Sequence, residues 1–250
     1  AELAVMRPSL LPGLVAALAR NATRQAGRVR LFEVGRTFRR LPGAAPLETR
    51  RVAVAVTGDA LAEQWGVASR KADFHDLKGD LESLAAASRA ALEFRPVAPA
   101  WAHPGRAAEV LRDGESIGWI AQLHPRLQRE LGLDVEVFAF ELDIEPLARR
   151  RLAHAAELSR FPSVRRDLAI VVADNVPWAA VAATVKAATG GLLRDVVLFD
   201  RYVGPGVESG CKSLAMGLIL QDNSRTLTDP DVEAAVAQAV AALAREHGAR

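Results

Sequence analysis

The chain has 250 residues, half hydrophobic and a quarter charged, an ordinary balance for folded globular protein and enough length for two modest domains. No apolar run approaches the roughly 20 residues that cross a bilayer, and Ala1-Glu2-Leu3-Ala4 has neither the basic nor the apolar region of a secretory leader, so no membrane association is expected. Net charge is +2, and a split at Leu158 leaves 22 basic against 20 acidic residues before it and 10 against 10 after it, which excludes a module that grips nucleic acid by blanket phosphate attraction.

In chain order, Pro8 and Pro12-Gly13 punctuate the start, and Leu14, Val15, Leu18 and Ala19 follow at helical spacing. Arg30 to Phe38 alternates as a strand, Leu41 to Pro46 reads as a turn, and Arg51 to Thr57 is a second, Val-rich strand. Asp73 is a candidate cap for a helix to Ser88, with Phe74, Leu77, Leu81 and Leu84 on its apolar stripe. Ala107 to Leu111 and Ile117 to Leu123 flank Asp113-Gly114, the strongest hairpin signal in this half. A short helix is expected from His124-Pro125 and a strand over Val137 to Leu142. Arg149 to Ser159 has charge and alanine without strand period and reads as a solvated linker between domains at 1–150 and 158–250.

Beyond the linker the pattern sharpens. Arg166 to Ala173 is a strand, and Pro177 is placed at the first position of a helix that Gly190-Gly191 stops. Leu192 to Val203 and Cys211 to Gln221 are strands joined through Gly204-Pro205-Gly206, and Thr228 caps a final helix to about His247. With at most a stub of strand at Gly248-Ala249-Arg250, the order is that of a ferredoxin-like βαββα(β) unit. The fold class is therefore α+β, with two helices on one face of the terminal antiparallel sheet and the other face open.

Alternation distributes side chains between those faces. Leu168, Ile170 and Val172 are assigned inward, as are Val197 and Phe199, and Leu214, Met216, Leu218 and Leu220. Asp167, Ala169 and Val171, then Asp200 and Tyr202, then Ser213, Ala215, Gly217 and Ile219 share the open face. Ala169, Ala215 and Gly217 make a floor of low bulk. Tyr202, the chain's single tyrosine, offers a ring on which an unpaired base can stack. Asp200 can accept from adjacent N–H donors such as those of guanine, and Ser213 adds a hydroxyl. Such a grouping suits a splayed-out base, although a Tyr and an Asp on a strand are more often plain solvated surface.

Other candidates are weaker. His75, His103 and His124 lack metal-ligand spacing and are read as turn and surface residues, and the single Cys211 permits neither an internal disulfide nor a cysteine-based zinc site. Ser9 and Ser213 have no nucleophile-elbow context. Gly204-Pro205-Gly206 joins strands and does not precede a helix, so it is no phosphate cradle. Arg149 to Arg151 carry charge that suits a nucleic-acid backbone, but a solvated linker is the plainer role. The lack of an initiator Met suggests a fragment or processed product.

Phe161-Pro162-Ser163-Val164-Arg165-Arg166-Asp167-Leu168-Ala169, Leu198-Phe199-Asp200-Arg201-Tyr202, Gly210-Cys211-Lys212-Ser213-Leu214-Ala215 and Arg225-Thr226-Leu227-Thr228-Asp229 resemble the ferredoxin-fold anticodon-binding domain that closes bacterial phenylalanyl-tRNA synthetase β subunits. Met6 to Leu14, Leu31 to Gly35, Phe74 to Gly79, His103 to Arg106 and Leu123 to Pro125 resemble the catalytic-like core of the same family. The family pattern often has Gly or Lys where Cys211 stands, with no functional loss expected.

The resemblance implies that Asp200, Tyr202 and Ser213, with Ala169 nearby, contact the first anticodon base of tRNA(Phe), a guanine. It implies a catalytic α subunit as partner, a heterotetramer of two α and two β subunits in the cytoplasm, and no DNA or membrane partner. ATP and Mg²⁺ belong to the complete enzyme and no cofactor to this chain. Class II synthetases hold ATP through a Phe-Arg-x-Glu pattern, but here Phe38-Arg39-Arg40 is followed by Leu41, and no Gly-x-Gly-x-Gly-x-x-Arg run occurs. A degenerate, non-catalytic core without proofreading is expected. The alternatives are a self-sufficient class II enzyme, an amino-acid-binding regulatory module, and an assembly module without RNA contact.

Overall fold

The structure is a computed structural model that describes residues 5–24, 26–152 and 158–250. The chain divides into two compact units, Ala1–Ala153 and His154–Arg250.

In the first unit, helix α1 (Leu11–Ala22) begins at the Pro12 signal and buries Leu14, Val15 and Leu18. Strands β1 (Arg28–Arg39) and β2 (Leu47–Gly58) pair antiparallel along their whole length. Helix α2 (Phe74–Ala86) opens with a capping box, in which the Asp73 carboxylate accepts from the backbone of His75 and Asp76 while Asp76 accepts from Asp73 N. Strands β3 (Leu92–Pro96), β4 (Ala102–Arg112) and β5 (Glu115–Leu123), helix α3 (Pro125–Glu130), strand β6 (Val137–Asp143) and a helical turn α4 (Ile144–Ala148) complete it. The six strands lie in the order β1-β2-β6-β5-β4-β3. Asp113 and Gly114 both take positive φ, 55° and 78°, which matches the twist a two-residue hairpin needs between β4 and β5.

This sheet is packed on two faces. Leu77, Leu81 and Ala85 of α2 meet Val56, Ile120, Phe138 and Phe140 on one side. Leu14, Val15 and Leu18 of α1 meet Ala53, Ala55 and Ala139 on the other. Alternate residues of β2 and β6 serve opposite cores, so residues 52–56 and 137–142 are apolar with a single exception. The exception is Glu141, 1% exposed in the middle of β6. Its carboxylate accepts from Arg51 Nη1 at 2.9 Å, Ser9 Oγ at 2.5 Å and Leu10 N at 3.1 Å. The segment before α1 is thereby fastened to the central strand by a satisfied buried charge.

Three details differ from expectation. Strand β3 was not foreseen, because its alternation is short and ends at Pro96; a terminal proline is tolerated there at the sheet's edge. Pro177 is the N-cap residue with ψ 146°, not the first helical residue. Arg149 and Arg151 are not free linker charges: they pair with Glu115 and Asp113 of the β4–β5 hairpin, and Arg151 N donates to Ser88 O at 3.3 Å. The middle of the expected linker, 153–157, lies outside the described residues.

The second unit runs β7 (Val164–Ala173), α5 (Trp178–Thr189), β8 (Leu193–Tyr202), β9 (Cys211–Leu220) and α6 (Asp229–His247), with the sheet ordered β7-β9-β8. Val181 and Val185 of α5 and Ala239 and Leu243 of α6 cover Ile170, Val172, Leu214, Met216 and Leu218. Thr184 Oγ1 donates to Glu246 Oε2 at 2.7 Å and ties the two helices together. Gly248 ends α6 in the left-handed region at φ 60°. Arg250 then exchanges both backbone hydrogen bonds with Val171, at 2.8 and 3.1 Å, forming a stub of fourth strand on the β7 edge. Cys211 is half-buried and reduced, two residues before Ser213 on the same side of β9.

Candidate nucleic-acid interface

Cross-strand register arranges the uncovered face in rows. Ala169, Ala215 and Asp200 are direct neighbours across β7, β9 and β8. Val171, Ser213 and Tyr202 form the next row. Side chains opposite one another in such rows have Cβ atoms about 4.5–5.5 Å apart, so all four candidate residues fall within two adjacent rows.

The route by which Asp200 and Tyr202 reach that face differs from simple alternation. Val196 and Leu198, not Val197 and Phe199, pack into the core, and Val197 and Phe199 are 39% and 50% exposed. Val196 pairs with Leu218 and Leu198 with Met216, but the next register pair is Asp200 with Ala215. Phe199 is the extra residue of a β-bulge. Strict alternation from Val196 and Leu198 would carry Asp200 and Tyr202 under the helices, because a one-residue slip exchanges faces. The bulge reverses the phase and delivers both to the open side.

Tyr202 is held from its own hairpin. Its hydroxyl donates to Pro205 O at 3.1 Å, and its ring lies so close to Gly204 that a Cβ there would fall 2.6 Å from the Tyr202 hydroxyl oxygen. The ring is therefore oriented before any ligand arrives, and it remains 45% exposed. The arginines nearby are engaged by other acids. Arg165 Nε donates to Asp167 at 2.8 Å and Arg201 Nη2 to Asp174 at 2.9 Å. The Asp200 carboxylate is thus left to accept from an external donor pair.

Two residues of this face were not anticipated. The Arg165 side chain lies along the sheet above Gly217, where an added Cβ would come within 2.8 Å of Nε and 3.0 Å of Cζ. The Gly217 part of the expected bare floor is therefore covered. Arg165 Cζ also stands 5.4 Å from the centroid of the Phe199 ring, a cation–π distance. The sequence signal was an isolated glycine within a strand, which often marks close approach of another group.

The histidine readings have concrete counterparts. His124 Nδ1 accepts from Arg126 N at 3.1 Å and caps α3. His103 Nδ1 accepts from Gly105 N at 3.1 Å across a turn. Among the described residues no group of three His, Cys, Asp or Glu side chains is placed to hold a metal ion, and no helix is long and apolar enough to cross a membrane.

Comparison with known proteins matches residues 1–144 to the phenylalanyl tRNA synthetase beta chain CLM domain and residues 159–250 to the ferredoxin-fold anticodon binding domain. The chain is 66% identical to the phenylalanine–tRNA ligase beta subunit of Xanthomonas axonopodis pv. citri, covering all of this chain and 32% of that protein. The corresponding beta subunits of Xanthomonas campestris pv. campestris and Xylella fastidiosa are 64% and 61% identical, again over all of this chain and 32% of each. The chain thus spans about a third of the length of these relatives.

Proposed function

Because the chain belongs to the phenylalanyl-tRNA synthetase β chain family, we propose that its second unit reads the first anticodon base of tRNA(Phe) on the open sheet face. The observation that carries this reading is the bulge at Phe199, which brings Asp200 and Tyr202 beside Ala215 and Ser213. A base stacked on Tyr202 turns its edge toward Asp200. Guanine presents N1–H and N2–H there, two adjacent donors that suit one carboxylate, while Ser213 supplies a hydroxyl. The small side chains of Ala169 and Ala215 admit the flat ring.

The first unit acts as a supporting core for a catalytic α subunit in a cytoplasmic assembly of two α and two β subunits, whose complete form uses ATP and Mg²⁺. The residues of this chain do not fit ATP. Strand β1 ends at Arg39, and Leu41 stands where the class II pattern places a glutamate. No step of aminoacyl transfer is assigned to this chain's side chains.

The test is titration of the full chain with an anticodon stem-loop RNA of tRNA(Phe). Tyr202→Ala should weaken binding by roughly 1–3 kcal/mol. Asp200→Ala should erase the preference for guanine over adenine at the first anticodon base. Equal affinities for the two substituted chains and the unsubstituted one would end the assignment. Saturable binding of phenylalanine at this face without RNA would favour the regulatory alternative.

A further inference from the structure

We infer that Arg165, bedded on Gly217 and flanked by Phe199, is a second stacking station that takes the nucleobase adjacent to the one held by Asp200 and Tyr202. This inference rests on the anticodon reading above and extends it from one base to two.

The geometry begins with a missing side chain. Gly217 sits in the central strand, between Asp167 of β7 and Val197 of β8. A Cβ there would approach Arg165 Nε at 2.8 Å and both Cζ and Nη2 at 3.0 Å. All three contacts are to the guanidinium group and not to its aliphatic stem, so the planar group itself lies against the backbone. Asp167 fixes one edge through Nε at 2.8 Å. Phe199, displaced from the core by the bulge, stands beside the group at 5.4 Å from ring centroid to Cζ. A long side chain that would ordinarily be free is thereby constrained by glycine below, carboxylate at the edge and an aromatic ring alongside. It nevertheless keeps 53% of its side-chain surface, so ordering leaves it accessible.

An exposed guanidinium already fixed flat is suited to stacking. Unpaired RNA bases stack on arginine planes as they do on aromatic rings, and a group ordered beforehand loses less entropy when the base arrives. Position supports the same role. Gly217 and Ala215 are two residues apart on β9, roughly 7 Å, a span that one nucleotide of extended RNA backbone covers. The Asp200 row contains Ala215, and the Arg165 guanidinium occupies the row beyond it. A strand of RNA that delivers one base to Tyr202 and Asp200 therefore passes its neighbour over Arg165 and Phe199. A phosphate contact would use the same charge but would not require a flat bed.

The test separates plane from charge. The full chain and its Arg165→Lys, Arg165→Ala and Tyr202→Ala variants are titrated with the stem-loop RNA and with two copies made abasic at either neighbour of the first anticodon base. Arg165→Lys keeps the charge and loses the plane, and should weaken binding of intact RNA about tenfold, close to the effect of Arg165→Ala. One abasic RNA should bind the unsubstituted chain as weakly as intact RNA binds Arg165→Lys, and on it the substitution should have no further effect. Gly217→Ala should lower affinity for intact RNA by lifting the guanidinium, but should change nothing in the Arg165→Ala background. Binding by Arg165→Lys equal to that of the unsubstituted chain, with Tyr202→Ala still impaired, overturns the second station alone. Undiminished binding by Tyr202→Ala overturns the parent reading and this one together.

Discussion

The two sheets of this chain solve opposite problems. The six-stranded sheet has helices on both faces, and its central β6 strand is buried at Val137 through Leu142. The three-stranded sheet has α5 and α6 on one face and its small, charged and aromatic residues on the other. Where both faces are packed, a polar side chain must be satisfied inside, as Glu141 is by Arg51, Ser9 and Leu10. Where one face is uncovered, polar side chains stay available to an outside partner. Chemistry is thus locked into the architecture of the first unit and displayed by the second.

The largest expected effect comes from removing that distinction in the second unit. Leu198→Asp should cost about 4–5 kcal/mol in urea unfolding, because it places an unpaired carboxylate on the packed side of β8, where Leu198 meets the core beneath α5 and α6. A retained midpoint would show that Leu198 does not belong to the packed set. In the first unit, Glu141→Ala should cost roughly 3–5 kcal/mol, since it removes the buried one of the two carboxylates that hold Arg51, Asp143 being the other, and leaves Leu10 N without its acceptor. Asp200→Asn, by contrast, should move stability by less than about 0.5 kcal/mol while removing guanine selectivity. A large loss of stability there would place Asp200 among the structural residues.

A weaker stabilising contribution than that of Glu141 comes from a device shared by both units. Arg70 binds Asp76, and Arg225 binds Asp231, each arginine six residues before a carboxylate in the first turn of a helix. The Arg70 hydrogen bond is the main cause that holds the Asp76 carboxyl at about 2, against an ordinary 3.8. Asp231 is held well below the usual carboxylate range, first by Arg225 and then by Thr228. A depressed folded-state value stabilises above the unfolded one, so the Asp76 contribution should be intact above pH 4 and fade as pH falls toward 2. Asp76→Asn should cost about 1 kcal/mol at neutral pH and flatten that acid limb in a pH series of thermal melts.

Most of the fold was legible because its punctuation is local. Asp73, Asp113-Gly114, Gly190-Gly191 and Thr228 mark starts, turns and stops that need only neighbouring residues. The βαββα order and the stub at Arg250 followed from those marks. The face assignment of β8 did not. Val196-Val197-Leu198-Phe199 is uninterruptedly apolar, so nothing in the run reveals which alternate set is buried or that one residue is supernumerary. Asp200 and Tyr202 were assigned to the open face through the wrong inward partners, and the bulge is what reconciles the two. Arg165 was missed for a different reason: its placement depends on the absence of a Cβ two strand positions away across the sheet, a relation that register creates and sequence order conceals.

Cys211 gives the open face an experimental consequence. It is the chain's single thiol, it lies one alternate position before Ser213 on β9, and it is partly accessible. A maleimide fluorophore or a trifluoromethyl tag attached there would carry no background from other sites. Its emission or its fluorine resonance would register an arriving oligonucleotide while Asp200, Tyr202 and Arg165 keep their native side chains.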